Sequence, residues 1–213
     1  SSSSAASDVY KRQSLYGGTY NLLANTLPRF GITTTFVNPD NPNEFTKAVK
    51  SNTRVFFAES LGNPKLDVID LKSISDASKK AKVPFIVDNT VASPALLNPI
   101  EHGANIVIHS LTKYLTGNGT SIGGVIIDAG TFDWANGNFP EFTEPNPSYH
   151  GLNYHEALGN IAFIAKVRIE GLRDLGSAPS PFNSFQSIQG IETLDIRMKK
   201  HSENALKLAA WLS

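Results

Sequence analysis

Residues 84–90 read PFIVDNT, and residues 106–113 read IVIHSLTK. Each stretch opens with an apolar run of strand length and closes with polar side chains. A third stretch, RVFFAESLGNP at 54–64, has the same form. Short runs rich in β-branched and aromatic residues, without polar alternation, are typical of strands buried on both faces of a sheet.

Segments of helix length separate these runs, which predicts an α/β protein with a mostly parallel sheet flanked by helices. Leu71, Ile74, Ala77 and Ala81 recur at helical spacing, and Asp70 is placed to cap that helix. We expect strands at 33–37, 54–59, 84–88, 106–109 and 123–128. We expect helices near 21–30, 43–49, 70–81, 154–174, 182–189 and 191–212.

Polar residues follow three consecutive predicted strands. Asn63 follows the first, Asp88 and Thr90 end the second, and Ser110, Thr112 and Lys113 end the third. In open parallel sheets, ligands bind outside the carboxyl ends of the strands, so these side chains are expected at one edge. Each residue alone also fits a turn, a helix cap or a surface position, but their coincidence favours a site.

A lysine beside a carboxylate and small hydroxyls suits one kind of chemistry. A desolvated lysine loses its proton readily and can form a Schiff base with an aldehyde such as pyridoxal 5′-phosphate (PLP). The pyridine nitrogen of PLP needs a carboxylate, here Asp88, and its phosphate needs donors, here Ser110 and Thr112. Tyr16 in LYGGT is the candidate for an aromatic ring packed on the cofactor.

Composition argues against several other classes. Lys+Arg and Asp+Glu both number 19, so no net field would recruit nucleic acid or an anionic membrane. There are no cysteines, and no apolar run approaches the roughly 20 residues that span a bilayer. A soluble, cytoplasmic protein is therefore expected.

Other cofactor and metal motifs are missing. The glycines of TGNGTSIGG follow Lys113 instead of preceding it, so this is not a P-loop, and no dinucleotide fingerprint is present. No two of the five histidines have the i, i+4 helical spacing of zinc-hydrolase ligands, so no metal site is predicted.

Three segments differ from the αβ pattern. Residues 1–13, SSSSAASDVYKRQ, have no hydrophobic period and are expected to be non-native or artefactual and to lie outside the fold. Residues 129–150 form a long excursion, and such loops are often functional. Arg197, Lys199, Lys200 and His201 form a basic cluster that is expected on a solvated helix face.

Several stretches resemble a known family. SLYGGTYNLL, ESLGNP, VDNTVASP, IEHGANIVIHSLTKYLTGNGT and ETLDIRMKKHSENALKLAAWL are similar to the Cys/Met-metabolism family of PLP-dependent enzymes. The resemblance runs from about Ser14 to the C-terminus. It implies fold type I, the architecture of aspartate aminotransferase. The excursion, FDWANGNFPEFTEPNPSYHGLNYHEALG, resembles the insertion of the O-acetylhomoserine sulfhydrylases within that family.

The resemblance implies a role for each candidate residue. Lys113 would bind PLP covalently and move protons at Cα and Cβ of the substrate, and Asp88 would pair with the pyridinium nitrogen. Tyr16 would stack on the ring and assist proton transfer. Ser110 and Thr112 would hold the phosphate, and Asn63 and Thr90 would lie near the ring hydroxyl.

The implied reaction is a γ-replacement in methionine and cysteine biosynthesis. O-acetyl-L-homoserine and sulfide would give L-homocysteine and acetate, in an enzyme that assembles as a homotetramer. Two alternatives stay open: a sibling activity, cystathionine γ-synthase or methionine γ-lyase, or a PLP-binding fragment without catalysis.

The resemblance also predicts a fragment truncated at both ends. Residues 14–190 would form part of the PLP-binding domain, and 191–213 would begin the helix that leads to a C-terminal domain. A family member is about twice this length. The chain alone is therefore expected to be inactive.

Overall fold

The computed structural model describes residues 15–213, and of residues 6–10 the backbone only. Six strands form one sheet in the order β2-β1-β3-β4-β5-β6. Their bounds are β1 Ala6–Tyr10, β2 Thr33–Val37, β3 Thr53–Glu59, β4 Phe85–Asp88, β5 Ile106–Ser110 and β6 Gly124–Asp128. The predicted mostly parallel sheet is confirmed, because the first five strands pair in parallel and only β6 runs antiparallel, against β5.

The register between the central strands decides what meets at the sheet edge. Glu59 at the end of β3 pairs with Asp88 at the end of β4, and Asp88 pairs with Ile108 of β5. The three strands therefore end at nearly the same level. The polar residues that follow them emerge together at one edge of the sheet.

The helices flank this sheet or follow it. The predicted helix at 70–81 is confirmed, and the Asp70 carboxylate accepts a hydrogen bond from the backbone N–H of Ser73 at 3.0 Å as its N-cap. No helix among the described residues combines the length and apolar character needed to cross a bilayer. The α-helices are α1 Gly17–Asn21, α2 Asn43–Ala48, α3 Leu71–Ala81, α4 Ser93–Leu96, α5 Pro140–Thr143, α6 Tyr154–Leu158, α7 Ala162–Lys166, α8 Arg173–Leu175, α9 Pro181–Ile191 and α10 Leu194–Leu212.

The helix expected over 154–174 is interrupted. Gly159 has φ +54° and ψ −123°, and a 3-10 turn at Gly159–Ile161 separates α6 from α7. A π-helical stretch, Val167–Leu172, then connects α7 to α8. Apolar period alone did not reveal this break, because a glycine inside a helical pattern is compatible with either outcome.

Alternate residues of the central strands enter two different cores. Phe85, Val87 and Val107 lie in a cluster with the inner faces of α2 and α3, which include Phe45 and Ile74. Ile106, with Ile86 and Ile108 against it, lies in a second cluster on the other face. Burial on both faces explains why these strands read as continuous apolar runs.

The excursion after β6 supplies the second core. The Trp134 ring stacks on Phe142 with ring centroids 4.3 Å apart and on Phe163 at 5.2 Å. Trp134, Phe139 and Phe142 are each at most 5% exposed. These aromatic residues cover one face of the sheet, so the segment has a packing role, and a functional role for it stays a prediction.

Residues 6–10 differ from expectation. Residues 1–13 are predicted to lie outside the fold, yet the backbone of 6–10 forms β1, with parallel pairing to β2 on one side and β3 on the other. Backbone hydrogen bonds define such a strand, so a missing hydrophobic period does not exclude one. Residues 1–5 and 11–13 lie outside the described residues, and the non-native origin of the segment stays a prediction.

Substitutions on a buried and an exposed helix face test where the core lies. Ile74 is fully buried between α3 and the sheet, whereas Ile196 on α10 is 73% exposed. We expect Ile74→Ala to lower the free energy of unfolding by about 2–5 kcal/mol, because it removes apolar contacts and leaves a cavity. Ile196→Ala, the matched control, should change it by less than about 0.5 kcal/mol. Denaturant unfolding measures both, and equal losses would contradict the placement of the core.

Candidate active site

One cavity at the carboxyl edge of the sheet brings the predicted residues together. It has a volume of about 760 Å³, within the usual range for small-molecule sites. We call it the sheet-edge cavity. All seven of the residues predicted from the sequence line it, namely Tyr16, Asn63, Asp88, Thr90, Ser110, Thr112 and Lys113.

Asp88 is held by the residue two positions after it. Its Oδ1 accepts hydrogen bonds from the Thr90 backbone N–H at 2.9 Å and from the Thr90 hydroxyl at 2.6 Å. The Thr90 hydroxyl also accepts a hydrogen bond from the Ser110 backbone N–H at 2.8 Å. Thr90 thus ties the end of β4 to the end of β5 and orients the Asp88 carboxylate. Its hydroxyl is committed to these two neighbours.

Lys113 lies in a π-helical turn, Leu111–Leu115, that follows β5 directly. Its backbone leaves the helical region, with φ −94° and ψ −127°, and its Nζ lies 5.8 Å from the centroid of the Tyr16 ring. The side chain is exposed, which differs from the desolvated lysine expected from sequence. The reason is that it projects from the sheet edge into an open-sided cavity.

Thr112 makes local contacts. Its hydroxyl lies 3.3 Å from the Gly123 carbonyl, to which it donates, and 3.2 Å from the Gly123 backbone N–H, from which it accepts. These bonds join the turn to the start of β6. Thr112 can therefore donate to a phosphate only by exchanging its bond to Gly123, whereas Ser110 shares the cavity wall without such a contact to Gly123.

Glu59 belongs to the cavity but was missed by sequence reasoning, which passed over it to Asn63. It ends β3, is 4% exposed, and its Oε1 accepts a hydrogen bond from the Tyr16 backbone N–H at 2.9 Å. Burial, with a further contribution from the neighbouring Asp88 charge, raises the pKa of Glu59 to about 7. Its position at a strand end, level with Asp88, was the signal available in the sequence.

Arg197 and His201 also line the cavity. The expectation of a solvated basic face is wrong for Arg197, which is half-buried, and holds for His201, which is exposed. Arg197 donates to the backbone carbonyls of Tyr114 at 2.7 Å and Leu115 at 3.3 Å. The His201 ring lies 5.4 Å from the ring of Tyr114. Lys199 and Lys200 are exposed, as expected. Helical spacing of four residues puts Arg197 and His201 on the side of α10 that faces the cavity.

The donor set of the cavity fits pyridoxal phosphate. The cavity is lined by the Lys113 amine, the Asp88 carboxylate and the hydroxyl groups of Ser110 and Thr112, and Tyr16 supplies an aromatic ring. Within residues 15–213, no group of three or more His, Asp or Glu side chains is arranged to hold a metal ion.

Comparisons with known proteins agree with this chemistry. A family model described as Cys/Met metabolism PLP-dependent enzyme matches residues 3–213. O-acetyl-L-homoserine sulfhydrylase of Leptospira meyeri is 55% identical over 216 residues, which cover 98% of this chain and 49% of the relative. The chain spans about half the length of the curated relatives it matches.

Two solved structures share the fold. A Campylobacter jejuni structure described as an O-acetylhomoserine (thiol)-lyase, with a pyridoxyl-lysine phosphate in its chain, superposes with a TM-score of 0.94 at 40% identity. It is matched over 100% of this chain and 52% of its own. O-acetylhomoserine sulfhydrylase of Wolinella succinogenes gives 0.82 at 35% identity, over 98% of this chain and 56% of its own.

The raised pKa of Glu59 predicts a pH-dependent stability. The folded state holds a proton on Glu59 that the unfolded state has lost, so stability falls as pH rises from about 4.5 through about 7. Glu59→Gln keeps an acceptor for Tyr16 and removes this loss. Above the folded pKa, we expect the variant to be more stable than the native protein by up to about 3 kcal/mol.

Thermal and denaturant unfolding across this pH window measure the effect. The difference between native protein and Glu59→Gln should grow as pH rises. A difference that stays constant with pH would show that Glu59 does not titrate in the folded protein.

Proposed function

We propose that this chain, which belongs to the Cys/Met metabolism family of PLP-dependent enzymes, provides the catalytic centre of an O-acetylhomoserine sulfhydrylase. The reaction is the replacement of the acetate of O-acetyl-L-homoserine by sulfide, which gives L-homocysteine. The convergence of seven candidate residues on the sheet-edge cavity carries the proposal. Similarity to proteins named for this activity supports it.

Each residue has a proposed part in holding the cofactor. The Lys113 amine would be the attachment point. Asp88 would pair with the ring nitrogen through Oδ2, because Oδ1 already accepts two hydrogen bonds from Thr90. The Tyr16 ring, whose centroid lies 5.8 Å from Lys113 Nζ, would pack on the cofactor ring. Ser110 and Thr112 would donate to the phosphate, and Asn63 would lie near the ring hydroxyl.

Thr90 changes role relative to the expectation from resemblance. Its hydroxyl donates to Asp88 and accepts from the Ser110 N–H, so we assign it to orienting Asp88 rather than to the ring hydroxyl. A second carboxyl, that of Glu59, accepts a hydrogen bond from the Tyr16 backbone N–H, with its Oε1 2.9 Å from the nitrogen. This bond fixes the position of Tyr16 in the cavity.

The cofactor, when bound, supplies an electron sink that makes protons at Cα and Cβ of an amino-acid substrate acidic. Lys113 would move protons at Cα and Cβ of the substrate, its amine being free for this once the substrate amino group has replaced it on the cofactor. In the overall reaction the C–O bond at Cγ would break, acetate would leave with the electron pair, and sulfide would form the new C–S bond at Cγ. Tyr16 would assist these proton transfers at the substrate.

Several broader expectations remain predictions. A homotetramer and a cytoplasmic location are expectations that come from the family resemblance. The balance of 19 basic and 19 acidic residues supports independence of nucleic acid and anionic membranes. The division at 14–190 and 191–213 is a further proposal. α10, which starts at Leu194, packs Leu194 and Met198 against Leu115 of the turn that carries Lys113, residues 111–117, which we call the lysine turn.

Assays of the intact protein test the proposal. With PLP, it should form homocysteine from O-acetylhomoserine and sulfide faster than it acts on cystathionine or methionine. Cystathionine or methionine as the preferred substrate would replace the sulfhydrylase with a sibling activity. Bound PLP without any of the three activities would instead indicate a binding protein.

Lys113→Ala tests the catalytic centre. We expect loss of the visible absorbance of lysine-bound cofactor and a fall in activity of at least about 100-fold, because both the attachment point and the proton carrier are removed. Lys80→Ala, an exposed lysine on α3, is the control and should leave both unchanged. Full activity in Lys113→Ala would contradict the assignment.

A further inference from the structure

Arg197 reaches across from α10 and binds the backbone that follows Lys113. Its Nη1 donates to the Tyr114 carbonyl at 2.7 Å, and its Nη2 donates to the Leu115 carbonyl at 3.3 Å. The same Nη2 donates to the Gly190 carbonyl at 2.7 Å, and Nε donates to the Thr193 hydroxyl at 3.1 Å. One guanidinium therefore joins the lysine turn to the end of α9 and the start of α10.

The lysine turn is built to receive this side chain. Gly117 has φ +78°, and a Cβ there would lie 2.5 Å from Arg197 Nη1 and 2.7 Å from its Cζ. A side chain at 117 would thus displace the guanidinium. Because Gly117 has no side chain, the guanidinium of Arg197 can occupy the space beside it.

A second contact holds the turn from α9. A Cβ on Gly190 would lie 2.0 Å from the Thr116 carbonyl oxygen, so the two backbones touch directly. The buried hydroxyls of Thr116 and Ser187 are 2.9 Å apart. The turn is therefore held by hydrogen bonds to α9 and α10, which lie 71 and 83 residues later in the chain at these contacts.

The Lys113 backbone needs such support. It breaks the helical geometry of its own turn, and the turn is closed by bonds from Thr116 N–H to the Leu111 carbonyl at 3.0 Å and from Gly117 N–H to the Lys113 carbonyl at 2.8 Å. The next two carbonyls after Lys113, those of Tyr114 and Leu115, accept hydrogen bonds from Arg197. Fixing these two peptides fixes the direction in which Lys113 leaves the turn.

We propose that Arg197 is a positioning residue for Lys113, holding the Tyr114 and Leu115 peptides so that the lysine amine points into the sheet-edge cavity. Arginine suits this task because its planar fork can bind several carbonyls at once in one fixed geometry. A lysine would keep the charge and lose the fork. The proposal rests on the role given to Lys113 above and does not depend on which substrate the enzyme uses.

The rate at which PLP becomes attached tests the proposal. Attachment forms a C=N bond between Lys113 and the cofactor aldehyde and releases one water. Intact protein freed of PLP is mixed with PLP, and visible absorbance gives the rate, while thermal unfolding of the cofactor-free protein gives stability. We expect Arg197→Ala to slow attachment by about tenfold or more, because small misplacements of a reacting group have large effects on rate.

Two further variants complete the design. Arg197→Lys should also attach PLP more slowly than the native protein, which keeps the test decisive if Arg197→Ala does not fold. Lys199→Ala, an exposed lysine on the same helix, should match the native rate. Native attachment rates in both Arg197 variants, or a lower stability with an unchanged rate, would overturn the proposal.

Sulfhydrylase activity of the native protein is measured separately. If it is absent while attachment still depends on Arg197, the sulfhydrylase proposal fails and the positioning role stands. If activity is present and attachment does not depend on Arg197, the positioning role fails.

Discussion

The parallel register of β3, β4 and β5 is the constraint on which the rest of the site depends. Glu59 pairs with Asp88, and Asp88 pairs with Ile108, so three strands stop at one level. A slip of one residue in β4 would send Asp88 to the opposite face and exchange the two cores. The alternation of Phe85 and Val87 with Ile86 between those cores makes such a slip costly. The register that packs the two cores therefore also fixes the position of the Asp88 carboxylate.

Local hydrogen bonds convert this edge into a site. Thr90 connects Asp88 to the Ser110 backbone, and Glu59 connects β3 to Tyr16. The strand register places the carboxyls of Glu59 and Asp88 side by side. The proposed site needs a negative charge only on Asp88. The raised pKa of Glu59 lets that side chain be neutral where a second charge would be unfavourable. The lysine turn is then held from the other side by α9 and α10.

The strands and the polar residues at their ends could be predicted from sequence, because short apolar runs and the geometry of parallel sheets depend on local pattern. Six of the seven predicted side chains line one cavity for that reason, and the seventh, Tyr16, is held there by its backbone hydrogen bond to Glu59. Arg197 could not be predicted, because its role depends on two carbonyls far away in the chain, and a basic cluster on a helix looks the same whether it faces water or a turn. The two hydrogen bonds of Thr90 and the exposure of Lys113 likewise follow from tertiary contacts.

The central claim is that this edge of the sheet holds pyridoxal phosphate through Lys113. Borohydride reduction of the intact, PLP-loaded protein followed by peptide mapping tests it most directly. The account predicts a pyridoxyl group on the peptide that contains Lys113. A pyridoxyl group on another lysine, or none on any peptide, would contradict it.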